Sequence, residues 1–273
     1  MSKIKKALEK AKTQRFAIDR EKEPQGSETG KTEQVAAPKY FQTKVIEISP
    51  EILEKNKIVS IDENHPVADQ FKLLRTRILH RTRGSGHNTI QVSGFDSEEG
   101  KSIVSVNLAV SMAKDTRQTT LLVDIDFRNP SVHKLLGLGN DIKGLKDYFE
   151  NQLNLEEIFV SPGIDKLTVL PAGGKMLNAP EVIGSPKMEA LVKELKGRYP
   201  DRYIIFDSPG LNTCPDPLIF SEYVDAILLV ARSDFTSLES IETVMNLVPR
   251  DKVLGTVLND SKWFESMAYY YRY

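Results

Sequence analysis

The residues with the most chemical promise lie in one run, Val92-Ser-Gly-Phe-Asp-Ser-Glu-Glu-Gly-Lys-Ser102. It leads from a short β-branched stretch into an apolar helical pattern that starts near Lys101. Backbone N–H groups at such a turn, together with the helix N-terminus, would cradle the phosphates of a nucleotide. Lys101 would reach the β and γ oxygens and the Ser102 hydroxyl would ligate Mg²⁺. The loop candidates are Gly94, Phe95, Asp96, Ser97, Glu98, Glu99, Gly100, Lys101, Ser102 and Ile103. The spacing departs from G-x-x-x-x-G-K-[ST], because Gly94 comes one residue early and Phe95 stands where the first glycine is expected.

Carboxylates give a second signal. Leu121-Leu-Val-Asp124-Ile-Asp126-Phe-Arg128 places two acids and an arginine just past an apolar run, and Tyr203-Ile-Ile-Phe-Asp207 ends another in an acid. Each acid alone also suits a helix cap or a turn. Three acids at the strand ends that carry a phosphate loop point instead to a shared site, since open α/β sheets bind ligands at that edge. Mg²⁺ takes oxygen ligands and keeps several waters, so one or two acids near it are sufficient. A remaining carboxylate facing the γ-phosphate would serve as general base for an attacking hydroxyl. Spacing does not separate Asp124 from Asp126 in that role.

These groups need a frame. Short runs at Thr89–Val92, Thr120–Val123, Lys166–Leu170, Tyr203–Phe206, Ala226–Ala231 and Lys252–Leu258 alternate with helical patterns at Val67–His80, Ser102–Lys114, Lys187–Leu195 and Leu238–Leu247. Runs apolar on both faces belong in parallel strands covered by helices on each side. The expectation is an α/β fold with a doubly wound, mostly parallel sheet.

The 273 residues suit one large domain with tails. The 37 basic and 38 acidic side chains nearly cancel, which removes any global electrostatic case for nucleic acid. A single cysteine, Cys214, closes no intrachain disulfide. No apolar run is long enough for a membrane span and no signal peptide opens the chain, so a cytoplasmic protein is expected. Residues 1–57 read as a basic amphipathic helix (Ile4, Ala7, Leu8 and Ala11 on one face) followed by a linker rich in Gly, Ser, Thr and Pro. That linker holds Gly30-Lys31-Thr32, which follows no strand and is set aside. Residues 58–264 form the expected catalytic domain, and residues 265–273 a tail that holds four of the nine tyrosines.

At these motifs the chain resembles the bacterial protein-tyrosine kinases of capsule and exopolysaccharide synthesis. The resemblance covers roughly residues 58–273, and its most specific element is the apolar run followed by Asp124-x-Asp126-x-Arg128. It implies a P-loop NTPase fold of the deviant-Walker, ParA/MinD-like type, with ATP and Mg²⁺ as cofactors. Lys101 and Ser102 would hold phosphates and metal, Asp126 and Asp207 would help hold Mg²⁺, and Asp124 would be the base. Arg128 would belong to the phosphate environment, and Asn259 would read the nucleotide base. Tyr269, Tyr270, Tyr271 and Tyr273 match the family's phosphoacceptor cluster, and Asp69-x-x-Lys72-x-x-Arg75 its oligomerisation motif. The implied partners are further copies of the chain, a separate transmembrane chain-length protein that activates the kinase at the inner face of the membrane, and a phosphotyrosine phosphatase.

Three departures stand out. Ser97-Glu98-Glu99 replaces a usual Pro-Gly-Glu and brings extra negative charge to the loop. Gly210 replaces the second proline of the third motif, and the oligomerisation motif has Asp69 for Glu and Lys72 for Arg. Two rival readings share part of this pattern. A positioning ATPase of ParA/MinD type would carry a second lysine five residues before Lys101, where this chain has Asp96. A non-catalytic scaffold would keep the fold and bind ATP weakly or not at all. The basic run Arg75, Arg77, His80, Arg81, Arg83 reads as an intersubunit or solvated face, because no aromatic platform accompanies it. His133 reads as structural, and Trp263 and Phe264 as packing residues.

Overall fold

The computed structural model describes residues 44–198 and 201–261. The basic N-terminal pattern, most of the linker and the tyrosine cluster lie outside the described residues.

Eight strands form one sheet: β1 (Lys44–Val45), β2 (Thr89–Gly94), β3 (Thr119–Asp124), β4 (Val160–Ser161), β5 (Leu167–Leu170), β6 (Arg202–Gly210), β7 (Ala226–Arg232) and β8 (Val253–Asn259). Their spatial order is β1-β4-β5-β3-β6-β2-β7-β8, and every pairing is parallel except β4 with β5. Ten α-helices accompany them among the described residues: α1 (Pro50–Lys55), α2 (Pro66–Thr82), α3 (Lys101–Ala113), α4 (Val132–Leu135), α5 (Leu145–Glu150), α6 (Leu155–Ile158), α7 (Ala179–Ile183), α8 (Pro186–Arg198), α9 (Asp216–Phe220) and α10 (Leu238–Leu247). No described helix is long and apolar enough to cross a membrane.

The expected doubly wound frame is present, and the central strands show why. Successive side chains of a strand point to opposite faces. Leu122 and Ile205 therefore pack with Val104, Leu108 and Met112 of α3 and with Ile78 and Leu79 of α2. Leu121, Val123, Ile204 and Phe206 pack on the other face with Leu191 and Leu195 of α8 and Phe220 of α9. Alternation vanishes from the sequence because both faces are covered. A hydroxyl pair, Thr82 Oγ1 and Tyr203 Oη at 2.8 Å, ties the end of α2 to the sheet.

The domain starts earlier than residue 58. Residues 44–57, grouped with the linker on sequence, contribute β1, which pairs with β4, and α1, whose Leu53 is buried in the core beside Ile58. A two-residue strand and a six-residue helix are too short to carry a periodic signal.

Candidate active site

The loop and the carboxylates meet where β2, β3 and β6 end. Strand β2 enters the turn 95–100, and α3 begins at Lys101 behind Gly100, whose φ of 83° lies in the left-handed region that glycine accepts without strain. The first helical bond runs from Val104 N–H to Gly100 O, so Lys101, Ser102 and Ile103 keep N–H groups without partners inside the helix. Those donors and the helix dipole make this turn an anion site.

Lys101 is buried, and its ammonium donates to Asp96 O at 2.5 Å. Burial pulls its pKa down, while Glu99, Asp207, Asp126 and Asp96 push it back up. Asp207, fully buried, is pushed up to about 7, first by burial. The Ser102 and Ser105 hydroxyls favour its ionised form and Asp126 opposes it. Ser105 Oγ donates to Asp207 Oδ1 at 2.8 Å, whereas no bond of ordinary geometry reaches Asp207 Oδ2. A buried carboxylate oxygen without a donor, beside an ammonium and a helix N-terminus, suits a magnesium–phosphate group. No cluster of three or more His, Cys, Asp or Glu side chains able to hold a metal occurs among the described residues. A magnesium ion there would draw its other ligands from phosphate and water.

Asp124 pairs in register with Asp207 on the neighbouring strand. It is fully buried and accepts N–H bonds from Asp126, Ser131 and Val132, each at 3.1 Å. Burial raises its pKa well above the ordinary range, and Asp207 adds to that. Asp126 is half-buried and accepts from the N–H groups of Arg128 and Asn129 at 3.2 and 2.8 Å. The two acids that spacing left equivalent thus differ in access: Asp124 is enclosed and Asp126 is partly open.

Arg128 does something the sequence did not announce. Its guanidinium forms a two-point bond with Asp216, Nε to Oδ2 at 2.7 Å and Nη2 to Oδ1 at 2.9 Å. Asp216 is 0% exposed at the start of α9, and Arg128 is 45% exposed. The pair joins the segment after β3 to the segment after β6. Nothing marked Asp216 on sequence except its place nine residues after Asp207.

The remaining loop residues divide. Ser97 and Glu98 are exposed and Asp96 is half-buried. Phe95 and Glu99 have interior side chains, Phe95 packing with Leu211, Leu229 and Val244. Asn259 donates from Nδ2 to Glu99 O at 2.9 Å, so its amide braces the loop. Gly210 lets β6 touch the loop, since a Cβ there would lie 2.5 Å from Asp96 O. Leu211 and Asn212 N–H then donate to Gly94 O and Phe95 O at 2.9 Å. Away from this edge, Asp69 and Lys72 pair with each other on α2 at 2.9 Å, and Arg75 donates to Ser111 O at 2.5 Å. The expected oligomerisation residues therefore make contacts within their own chain.

Residues 90–268 match the CobQ/CobB/MinD/ParA nucleotide-binding domain family. The chain is 28% identical over 209 residues to a tyrosine-protein kinase CapB of Staphylococcus aureus described as putative, covering 76% of this chain and 90% of that protein. It is 26% identical to tyrosine-protein kinase YwqD of Bacillus subtilis, covering 80% of this chain and 92% of that one. Among solved structures, the chimerical protein CapA2B2 aligns with a TM-score of 0.69 at 26% identity, over 82% of this chain and 95% of that one.

Proposed function

We propose that this chain, which belongs to the CobQ/CobB/MinD/ParA nucleotide-binding family, is an ATP- and Mg²⁺-dependent protein-tyrosine autokinase that phosphorylates Tyr269, Tyr270, Tyr271 and Tyr273. The tyrosine-kinase activity follows its relatives, which are named tyrosine-protein kinases. The observation that carries the reading is the gathering of Lys101, Ser102, Asp124, Asp126 and Asp207 at one sheet edge behind a Gly-Lys-Ser turn.

In this reading Lys101 and the N–H groups of Lys101–Ile103 bind the phosphates. Ser102, Asp126 and Asp207 hold the magnesium, which supplies charge neutralisation on the transferred phosphoryl group. Asp124, held in place by three backbone N–H donors, would take the tyrosine proton once the cation and substrate are bound. The Arg128–Asp216 pair fixes the walls around that group. Asn259, whose amide donates to Glu99 O, would also read the nucleotide base. Asp69, Lys72 and Arg75 present the face for self-association, which would deliver one copy's tail to another's site. A transmembrane activator would bring the kinase to the inner face of the membrane, and a phosphotyrosine phosphatase would reset the tail. Asp96 at the place of a second loop lysine weighs against a positioning ATPase.

The test is peptide mass spectrometry after incubation with Mg-ATP, wild type against Lys101→Met. Phosphate on the 269–273 peptide of wild type alone is the expected result. ATP hydrolysis without phosphotyrosine would overturn the kinase reading, and absence of nucleotide binding in wild type would support the scaffold.

A further inference from the structure

We propose that Thr236 is a positioning residue for the nucleotide loop, acting through the buried carboxylate of Glu99; the proposal rests on the nucleotide-binding reading above.

Glu99 lies inside the protein, and a buried carboxylate is tolerated only when its oxygens are supplied with donors. Glu99 Oε2 accepts the N–H groups of Phe95 and Asp96 at 2.7 and 3.0 Å, the first two residues of the turn. Its Oε1 accepts the Thr236 hydroxyl at 2.6 Å. Thr236 Oγ1 is itself the acceptor of Arg232 N–H at 2.8 Å. That second bond occupies an oxygen lone pair and leaves the hydroxyl proton for the carboxylate, a short charge-assisted bond. The turn is thereby fastened to the segment between β7 and α10. From β8, Asn259 fastens the Glu99 backbone through its carbonyl.

The early glycine of the loop now has a physical role. A Cβ on Gly94 would stand 2.2 Å from Glu99 Oε2 and 2.8 Å from Val230 O. Gly94 therefore provides the room in which the carboxylate sits, and the motif's irregular spacing marks a loop braced from within. The brace sets where Ser97–Gly100 lies relative to the free N–H groups of Lys101–Ile103. A phosphate bound by several fixed donors loses affinity when they are no longer prepositioned.

Two variants test this by nucleotide titration, steady-state kinetics and thermal melting. Thr236→Val deletes the hydroxyl at nearly constant volume and strands one carboxylate oxygen. It should raise the Kd for Mg-ATP and the KM for ATP by about tenfold while kcat changes by less than about threefold, and Thr236→Ser should restore wild-type binding. A role in stability alone would lower the melting temperature of Thr236→Val without moving Kd, and that result overturns the proposal. Glu99→Ala gives a reading even if Thr236→Val does not fold. Removing a negative charge beside Lys101 should tighten phosphate binding on electrostatics alone, whereas loss of the brace weakens it. Weaker binding by Glu99→Ala supports the brace, and equal or tighter binding overturns it. Wild type that binds no Mg-ATP would overturn the nucleotide reading and this proposal with it, an outcome distinct from variants that match a competent wild type.

Discussion

Asp124, the last residue of β3, stands beside Asp207 of β6, both fully buried, and burial raises the pKa of each. Two neighbouring acids with so little water do not readily carry two negative charges. The sheet edge therefore retains a proton that a bound cation would displace.

The pH dependence follows with a definite sign. Asp207 is pushed up to about 7, whereas an aspartate in the unfolded chain titrates near 3.9, an approximate reference value. Between those values the folded protein holds a proton that the unfolded chain has released, so stability falls as pH rises from about 4 to about 7. Asp207→Asn removes this term. The shift is worth about 4 kcal/mol, so without nucleotide the variant's melting temperature should exceed that of wild type by roughly 8–16 °C at pH 8 and match it near pH 4. Circular dichroism melts at several pH values check this, and equal pH slopes for the two proteins would refute it. Asp124 shifts in the same direction, so a smaller slope remains in the variant.

Much of this edge was legible in the sequence, for reasons that particular residues show. β3, β6 and β7 carry apolar residues on both faces because helices cover both, whereas β2 sets Thr89, Gln91 and Ser93 on one face; Asp124 ends β3, and β6 runs three residues past Asp207 to Gly210. β1 and β4, two residues each, gave no periodic signal. Glu98-Glu99 read as added negative charge beside the phosphates, and only the fold separates an exposed Glu98 from an inward Glu99. The misplaced Gly94 was the available clue, but its meaning depends on Val230 and Glu99 in space. Gly210 likewise looked like a departure from the third motif. Its missing side chain is what admits the Asp96 backbone, a contact between residues 114 positions apart.

The Arg128–Asp216 pair should be a stability determinant beyond its place near the site. Removing the arginine leaves a fully buried carboxylate without its two charged donors. Broken buried pairs cost several kcal/mol, but Arg128 is nearly half in water, so the expected loss for Arg128→Ala is about 2–3 kcal/mol. Arg128→Lys keeps the charge without the planar fork and should recover only part of it. Urea midpoints measure both. Variants lying within about 0.5 kcal/mol of wild type would mean that Asp216 is satisfied without Arg128.

Glu98 provides the last prediction, and it separates charge from backbone. Its side chain is exposed and its φ is 58°, a conformation that costs an ordinary residue about 1 kcal/mol and glycine almost nothing. Its carbonyl accepts from Arg232 Nη1 at 3.4 Å, a contact that any residue at this position retains. Glu98→Gly relieves the strain and adds freedom to the unfolded chain, so a net gain of only about 0.5 kcal/mol is expected. Water screens the lost charge, so the Kd for Mg-ATP should tighten by less than about threefold, and less still in high salt. Calorimetric titration at two salt concentrations checks both statements. Tightening of tenfold or more would mean that the carboxylate turns toward the phosphates and that its exposed position is not the one met by nucleotide.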